Sequence, residues 1–192
     1  MELILAIAIS YLMGSIPFGL ILTKIFLNKD IRDIGSGNIG ATNVLRTGNK
    51  IIGYLTLSLD VLKAVIPVLY IKFNYPELVY VSSLSVFIGH VFPLWLKFKG
   101  GKGVATYVGI LFAINIYFGI IFSLCWFVIF GITKFSSLSS LIASISIPIY
   151  LIITSNFDEI FFFIIMFVLI FFTHRENIKR LKNKEETKTK IY

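Results

Sequence analysis

Apolar stretches of about 20 residues, the length that crosses a bilayer, alternate with short polar segments along most of the chain. The stretches that this pattern predicts as membrane helices are 3–22, 51–71, 78–96 and a nearly continuous apolar run, 104–173. Polar residues interrupt that last run at Asn115, at Lys134 and at 155–159. The pattern predicts an all-α polytopic membrane protein with seven transmembrane helices, or five if the last run forms only two long helices.

The positions of Lys and Arg predict the orientation, because loops rich in these residues stay on the cytoplasmic side. Residues 24–50 hold five cations, residues 97–102 hold three, and residues 174–192 hold seven. We therefore expect all three segments and the C-terminus in the cytoplasm and the N-terminus outside. We also expect a single domain, 1–192, whose polar end, 182–192, is disordered.

Composition agrees with a membrane protein and excludes several other classes. Hydrophobic residues make up 57% of the chain and charged residues only 15%, which is too apolar for a soluble domain of this size. The net charge of +8 does not indicate nucleic-acid binding, because the cations lie at the ends of apolar segments. With one Cys and no metal-ligand spacing, we expect no metal and no cofactor.

The first polar loop combines glycines with small polar side chains, which suits phosphate binding. Glycines let backbone N–H groups approach an anion, and Arg46 can bind phosphate through two N–H groups. The loop contains G-x-G-x-x-G, but no βαβ unit surrounds it, so a dinucleotide site is excluded and a flexible connector is the alternative. The candidate residues are Gly35, Ser36, Gly37, Asn38, Gly40, Thr42, Asn43 and Arg46.

The second polar loop places Lys102 among glycines just before the next apolar segment. A helix N-terminus there would add its N–H groups and dipole to the ammonium charge. The spacing differs from a Walker A loop, and Lys97 and Lys99 fit simple orientation signals. The candidates are His90, Gly100, Gly101, Lys102 and Gly103. A buried, hydrogen-bonded imidazole and a catalytic one are equal alternatives for His90.

Two further groups of charged and polar residues are candidates. If 174–182 is helical, one face holds His174, Asn177, Ile178 and Leu181, and another holds Arg175, Lys179 and Lys182. The first face is a candidate for a site, and the second fits anionic lipid headgroups. Asp60 and Lys63 can pair at i, i+3 inside a predicted span, where we expect a structural pair or a supporting role behind a site.

Taken together, the three polar segments resemble the bacterial acyl-phosphate:glycerol-3-phosphate acyltransferases, the PlsY family. The stretches that carry the resemblance are 35–43 with Arg46, 89–93 with 98–106, and 174–181. Beyond them the family pattern has Gly and, two residues later, Glu. Here Lys184 stands where Gly is expected, and Glu186 keeps the acid.

The resemblance implies transfer of a fatty acyl group from acyl phosphate to the sn-1 hydroxyl of glycerol 3-phosphate. The products are lysophosphatidic acid and phosphate, in the first acylation step of phospholipid biosynthesis. It implies an enzyme of the bacterial inner membrane that uses neither acyl-CoA nor acyl carrier protein. The H-x-x-x-x-D pattern of CoA-using relatives is absent, since Trp95 and Lys179 stand five residues after His90 and His174. We expect membrane lipids as further partners, a monomer and no nucleic acid.

On this interpretation the polar segments converge at the cytoplasmic face. We expect Ser36, His174 and Asn177 in catalytic roles, with Arg180 among the substrate-binding residues. Asp60, Lys63 and Glu186 are expected to be structural. The general base is His174 or the donor's own phosphate, and we favour the phosphate because the sequence gives His174 no obvious carboxylate partner.

A transporter of phosphate or organophosphate is the alternative function. The cationic glycine-rich loops would form an anion gate, and Asp60 with Lys63 would be a coupling pair inside the membrane. No inverted repeat is visible in the sequence, which disfavours this alternative.

Overall fold

The computed structural model describes residues 1–189, and within that range every regular element is helical. The helices are α1 (Glu2–Gly14), α2 (Phe18–Leu27), α3 (Ala41–Leu45), α4 (Lys50–Asn74), α5 (Val79–Val91), α6 (Val104–Ile114), α7 (Ile116–Thr133), α8 (Ser136–Ile153), α9 (Ile160–Thr173) and α10 (Arg175–Lys182). They form two compact units, residues 1–114 and residues 115 onward. Of the predicted disordered tail, 182–192, the last three residues lie outside the described range.

Five helical segments in the described part of the chain are long and apolar enough to cross a membrane. They are Glu2–Leu27, Lys50–Asn74, Pro76–Leu96, Ile116–Thr133 and Ser136–Ile153. The pair α9 and α10, bent by 61°, gives a sixth candidate, and α6 is apolar but shorter. The prediction of an all-helical, multi-pass membrane protein is confirmed. The predicted polar breaks at Asn115, Lys134 and 155–159 are where α6, α7, α8 and α9 are separated.

The first predicted span, 3–22, is not one continuous helix, because it breaks between α1 and α2. Pro17 lies at the break and has no N–H group to continue the helical hydrogen bonds. The Nζ of Lys63 donates a 2.8 Å hydrogen bond to the carbonyl oxygen of Ile16. The same oxygen also accepts a 3.1 Å hydrogen bond from the Phe18 N–H, so Lys63 adds a second, charged donor at the break.

Helices α1 and α5 pack closely and run in the same direction. Ser10 and Ser82 share a 2.8 Å hydrogen bond between their hydroxyls. One turn further along each helix, Gly14 lies directly against the carbonyl of Val86, and Gly89 lies against the carbonyl of Tyr11. Small residues at these crossings let the two backbones approach, which is how membrane helices associate without a hydrophobic driving force.

Helices α4 and α6 also run parallel to each other. Gly109 packs against the backbone of Val61, and Lys72 donates to the carbonyl oxygens of Ala113 and Ile114 at 3.1 and 2.7 Å. Since α4 and α5 are joined by a short turn, they run in opposite directions. The ends of α2 and α5 and the starts of α4 and α6 therefore lie at one end of the first unit. That end carries the loops 28–49 and 92–103.

The second unit is a run of adjacent apolar helices, α7, α8 and α9. Trp126 of α7 donates from Nε1 to the Ser140 hydroxyl of α8 at 3.1 Å. Phe118 of α7 and Phe163 of α9 meet edge to face with ring centroids 5.2 Å apart. The chain then bends at His174 into α10, a short polar helix.

We predict that Gly89→Ala lowers the melting temperature of the detergent-solubilised protein. The added methyl group would overlap the carbonyl of Tyr11 and force α1 and α5 apart. Gly131→Ala in α7 is the matched control, because a Cβ there meets no atom within 4 Å. The control should raise or preserve the melting temperature, since Ala is favoured over Gly in a helix by up to about 1 kcal/mol. Equal effects of the two changes would contradict the close packing of α1 on α5.

Candidate active site

Asn43 determines the shape of the loop between α2 and α4. Its side chain is buried, and Nδ2 donates to the carbonyl oxygens of Ile31, Ile34 and Asn38 at 3.1, 2.8 and 2.8 Å. Its Oδ1 accepts a 3.0 Å hydrogen bond from the backbone N–H of Ser36. Both polar atoms of Asn43 are thus used within the loop. The structure therefore supports a positioning role for Asn43 in place of the direct substrate contact expected from the sequence.

The folded loop presents Gly35, Ser36 and Gly37 on its exposed side. Gly35 has φ +57°, and the Arg46 side chain passes within 3.0 Å of the place where a Cβ of Gly35 would be. The Arg46 guanidinium therefore lies beside Gly35 and close to Ser36. Asn38 stabilises the next turn by accepting a 2.9 Å hydrogen bond from the Gly40 N–H at Oδ1. The half-buried Thr42 follows in α3.

The second loop packs on the first through apolar side chains. A buried cluster below the first loop contains Leu20, Leu22, Ile31, Ile39, Val44 and Ile52, and Leu96 of the second loop packs against it. Two of the three predicted polar segments therefore meet at one end of the first unit. This brings the exposed Arg46 loop and the Lys102 loop into the same region.

Gly100 and Gly101 of the second loop do not have the phosphate-binding role that the sequence predicted. The N–H groups of Gly100 and Gly101 donate to the carbonyl oxygens of Val91 and His90 at 3.0 and 3.1 Å, so those two amides are not available to a phosphate. Gly101 packs against the His90 ring, and Gly103, at φ +85°, packs against Phe87. Lys102 is half-buried at the end of the loop, and the first-turn amides of α6 have no carbonyl partner within the helix.

A buried cluster of charged and polar side chains lies beneath this loop. Lys63 Nζ is 2.7 Å from Asp60 Oδ1, and His90 Nδ1 is 3.9 Å from the same oxygen. All three residues are at most 4% exposed. This geometry supports the structural pair expected from the sequence. The His90 ring is buried under Gly101, as one of the two interpretations expected, but its Nδ1 has no hydrogen-bond partner among the described residues.

His174 lies at the bend between α9 and α10 and is only 2% exposed. Its Nδ1 is 2.8 Å from the carbonyl oxygen of Ile170, an acceptor that fixes the proton on Nδ1. In the neutral ring, the lone pair is then on Nε2. The partner that orients the ring is a backbone carbonyl and carries no full negative charge.

Glu186 connects three parts of the second unit. One carboxylate oxygen accepts 2.7 Å hydrogen bonds from Ser137 Oγ and Asn177 Nδ2, and the other accepts one from Arg180 Nε, also at 2.7 Å. Burial alone would raise the pKa of Glu186, but these three donors hold it below its usual value. The buried Oδ1 of Asn177 has no hydrogen-bond partner among residues 1–189. Asn177 is thus oriented by Glu186 and keeps one acceptor for a ligand.

Ser137 was not among the residues that the sequence predicted. Its only sequence signal is its place in a Ser-rich start of α8, which resembles a polar helix terminus more than a site. The C-terminal segment also contacts this unit through Thr189, whose N–H donates to the Lys134 carbonyl at 2.9 Å. Lys184, where the family pattern has Gly, adopts φ +61°, a left-handed conformation that explains why Gly fits that position.

Comparison with known proteins gives a consistent result. The model of the protein family "Glycerol-3-phosphate acyltransferase" matches residues 4–184 of this chain. A glycerol-3-phosphate acyltransferase of Pelagibacter ubique is 71% identical over the whole of both chains. One of Bradyrhizobium diazoefficiens is 46% identical over 95% of this chain and 93% of its own. The chain belongs to the glycerol-3-phosphate acyltransferase family.

Solved structures agree with this assignment. A crystal structure of PlsY, described as an integral membrane glycerol 3-phosphate acyltransferase in its glycerol 3-phosphate form, is 36% identical. It superimposes with a TM-score of 0.92 over 99% of this chain and 96% of its own. The lysophosphatidic acid form of PlsY gives a TM-score of 0.88 over 98% of this chain. The resemblance to PlsY is confirmed, and the chain is a membrane acyltransferase and not the transporter kept as an alternative.

We predict that the folded protein loses stability as the pH falls below the usual pKa of Glu186, about 4.5. Its folded-state pKa is lowered, so its stabilising effect is fully present above the unfolded-state value and is lost as the carboxylate takes up a proton. Melting temperatures across this pH range should show a smaller acid loss for Glu186→Gln than for the parent protein. The exposed Glu176→Gln on α10 is the control and should melt with the parent's pH dependence.

Proposed function

We propose that this acyltransferase takes its acyl group from an acyl phosphate and transfers it to the sn-1 hydroxyl of glycerol 3-phosphate. The observation that carries the proposal is the meeting of two glycine-rich cationic loops at one end of the first unit. Both substrates of this reaction carry a phosphate group, and the two loops offer Arg46 and Lys102 as separate cationic partners. The glycerol 3-phosphate and lysophosphatidic acid forms of the similar PlsY structures support the same substrate and product.

We assign the phosphate groups to the first unit. Arg46 can bind a phosphate through two parallel N–H groups, with Ser36 and the backbone of Gly35 and Gly37 beside it. Lys102 with the first-turn amides of α6 suits the second phosphate, because ammonium charge and helix dipole add there. In the second unit, Glu186 holds Asn177 and Arg180 in place, and we propose that His174, Asn177 and Arg180 contribute to substrate binding.

The chemical step requires little from the protein beyond alignment and charge stabilisation. The sn-1 oxygen attacks the acyl carbonyl, a new C–O ester bond forms, and the bond between that carbon and the phosphate oxygen breaks. The products are lysophosphatidic acid and inorganic phosphate, and the hydroxyl proton leaves with the phosphate. The donor is already an activated anhydride, so binding both substrates in line and stabilising the carbonyl oxygen supply the catalysis. No covalent enzyme intermediate is needed.

The base that accepts the hydroxyl proton is proposed to be the donor phosphate. His174 is oriented by a carbonyl, and this partner raises the basicity of Nε2 less than a carboxylate would. We assign Nε2 a hydrogen bond to the substrate, with Asn177 Oδ1 as a second acceptor. Because the single sn-1 proton goes to the donor phosphate, these two acceptors orient the substrate through hydrogen bonds other than that one.

We further propose seven crossings, with α6 and α9 as the short ones, an outside N-terminus and a cytoplasmic C-terminus. Support comes from the excess of Lys and Arg in the loops 28–49 and 92–103 and in α10. An enzyme with this orientation in the bacterial inner membrane has its site on the cytoplasmic face, where glycerol 3-phosphate is soluble and the acyl donor is membrane-borne. We propose that the monomer is the active form.

The donor is tested with purified protein in liposomes, labelled glycerol 3-phosphate, and either palmitoyl phosphate or palmitoyl-CoA. We expect lysophosphatidic acid and an equal amount of phosphate from palmitoyl phosphate only. Product from palmitoyl-CoA alone would contradict the donor assignment while keeping the acceptor.

Lys102→Ala is run in parallel to show that product arises at the proposed site. It should lose most of its turnover, because the change removes the ammonium group that we assign to one of the two phosphates. Folding is checked by size-exclusion chromatography. Normal kcat and KM in folded Lys102→Ala protein would remove the phosphate site from the second loop.

His174→Gln separates the two candidate bases. Gln keeps a hydrogen-bonding group but cannot take up a proton, so a positioning role predicts a loss of only a few-fold in kcat. Loss of a general base predicts about 10²- to 10⁴-fold instead. The kinetics of initial product formation at saturating substrate decide between them, and the larger loss would make His174 the base.

A further inference from the structure

The loop between α5 and α6, residues 92–101, exposes large apolar side chains at the polar end of the first unit. Leu94, Trp95 and Phe98 are 52%, 57% and 56% exposed, whereas Leu96 between them packs inward against the buried cluster below the first loop. A loop in water would normally turn such side chains inward or replace them by polar ones. Their exposure therefore needs a partner.

The loop's hydrogen bonds fix this exposure. The N–H groups of Leu96 and Phe98 both donate to the Pro93 carbonyl, at 3.1 and 3.0 Å. The N–H of Lys99 donates to the carbonyl oxygen of Leu96. The N–H groups of Gly100 and Gly101 donate to carbonyl oxygens at the end of α5. Because the backbone is tied at so many points, the outward direction of Trp95 and Phe98 is part of the fold.

The backbone also accepts strain where it turns Phe98 outward. Lys97 and Phe98 have φ +52° and +61°, two successive non-glycine residues in the left-handed region. Such a conformation is strained for a residue that carries a side chain, and Gly would adopt it without that strain. The strain therefore indicates that the side chains of Lys97 and Phe98 have a role that Gly could not fill.

Charge and position indicate the partner. Lys97 and Lys99, both exposed, flank Phe98. Aromatic residues and Lys together mark the boundary between membrane and water, where the rings lie at headgroup level and ammonium groups attract anionic headgroups. Residues 92–96 of the loop are the last residues of the candidate span Pro76–Leu96, so the exposed apolar surface of the loop is continuous with that span.

We propose that the α5–α6 loop is an interfacial lipid-binding element. Leu94, Trp95 and Phe98 enter the bilayer at the boundary of headgroups and acyl chains, and Lys97 and Lys99 bind anionic headgroups. The element fixes Lys102, four residues after Phe98, at headgroup depth. For catalysis, and only if the proposed function holds, this depth matches the phosphate of an acyl phosphate whose chain remains in the membrane.

Trp95 is itself a suitable probe, because the chain has only one other Trp, Trp126. Trp126→Phe leaves Trp95 as the sole emitter. The protein is placed in phosphatidylcholine liposomes in which part of the lipid carries bromine, either near the headgroup or deep in the acyl chains. We expect Trp95 fluorescence to be quenched strongly by the shallow bromine and weakly by the deep bromine. Neither the probe nor its depth depends on catalysis.

Three results would overturn the proposal. No quenching by either lipid, with strong quenching by iodide in the buffer, would place the loop in water. No quenching by any of the three quenchers would mean that protein, such as a second copy of the chain, covers Trp95. Stronger quenching by the deep bromine would place Trp95 inside the hydrocarbon. If Trp126→Phe does not fold, the same depth profile is obtained as the difference between wild-type protein and Trp95→Phe.

The headgroup contact has its own test. In phosphatidylcholine liposomes with a small fraction of brominated lipid, brominated phosphatidylglycerol should quench Trp95 more than brominated phosphatidylcholine at the same fraction. The double variant Lys97→Gln/Lys99→Gln should lose this preference but keep the depth profile. The exposed lysine change Lys50→Gln, at the start of α4, is the control and should keep the preference. Equal quenching by the two lipids in the wild-type protein would refute the role of the two lysines.

Discussion

Lys63 is the residue on which the arrangement of the first unit depends. Its ammonium group lies 2.7 Å from the Asp60 carboxylate and 2.8 Å from the Ile16 carbonyl, with almost no exposure to solvent. A charge buried in a membrane protein is tolerated only when it is paired, and the Ile16 carbonyl at the helix break gains a second donor beside the Phe18 N–H. One side chain makes both contacts, so α4 is tied to the break between α1 and α2.

This tie has consequences at the polar end of the unit. The break redirects α2, and Gly19 of α2 packs on the backbone of Ile39 in the first loop. His90 approaches Asp60 from α5, and its ring supports Gly101, next to Lys102. The buried pair therefore lies beneath both of the loops that we propose to bind phosphate. We propose a structural role for the pair, since Asp60 and Lys63 are both buried.

The lengths of the apolar stretches were sufficient to predict an all-helical multi-pass membrane protein, because they follow directly from the thickness of a bilayer. The polar breaks at Asn115 and Lys134 were predicted for the same reason. The break at Ser15–Pro17 was not, because Pro is tolerated within membrane helices, as at Pro67 in α4, whenever neighbouring groups satisfy the backbone. At this break one such group is the Lys63 ammonium, which lies 47 positions after Ile16 in the sequence.

The site was predicted less completely for a similar reason. Residue types identified the loops, but they could not show which N–H groups the fold itself uses. Asn43 and the amides of Gly100 and Gly101 are engaged within the protein, and only the three-dimensional contacts reveal this. Ser137 joins Glu186 from 49 residues away and carries no local signal. Hydrogen bonds that depend on the folded structure thus determine which polar groups of the candidate residues the protein itself uses.

The central claim, that the Asp60–Lys63 pair holds the first unit together, is tested most directly by a double-mutant cycle. The melting temperature and the yield of monodisperse protein are measured for Asp60→Asn, Lys63→Met and the double variant, with Asp30→Asn in the exposed Asp30–Arg32 pair as control. Each single change should destabilise the protein by about 3–5 kcal/mol, because it leaves a buried charge unpaired, and the double variant should recover part of that loss. The control should cost at most about 1 kcal/mol. Single variants as stable as the control would contradict the claim.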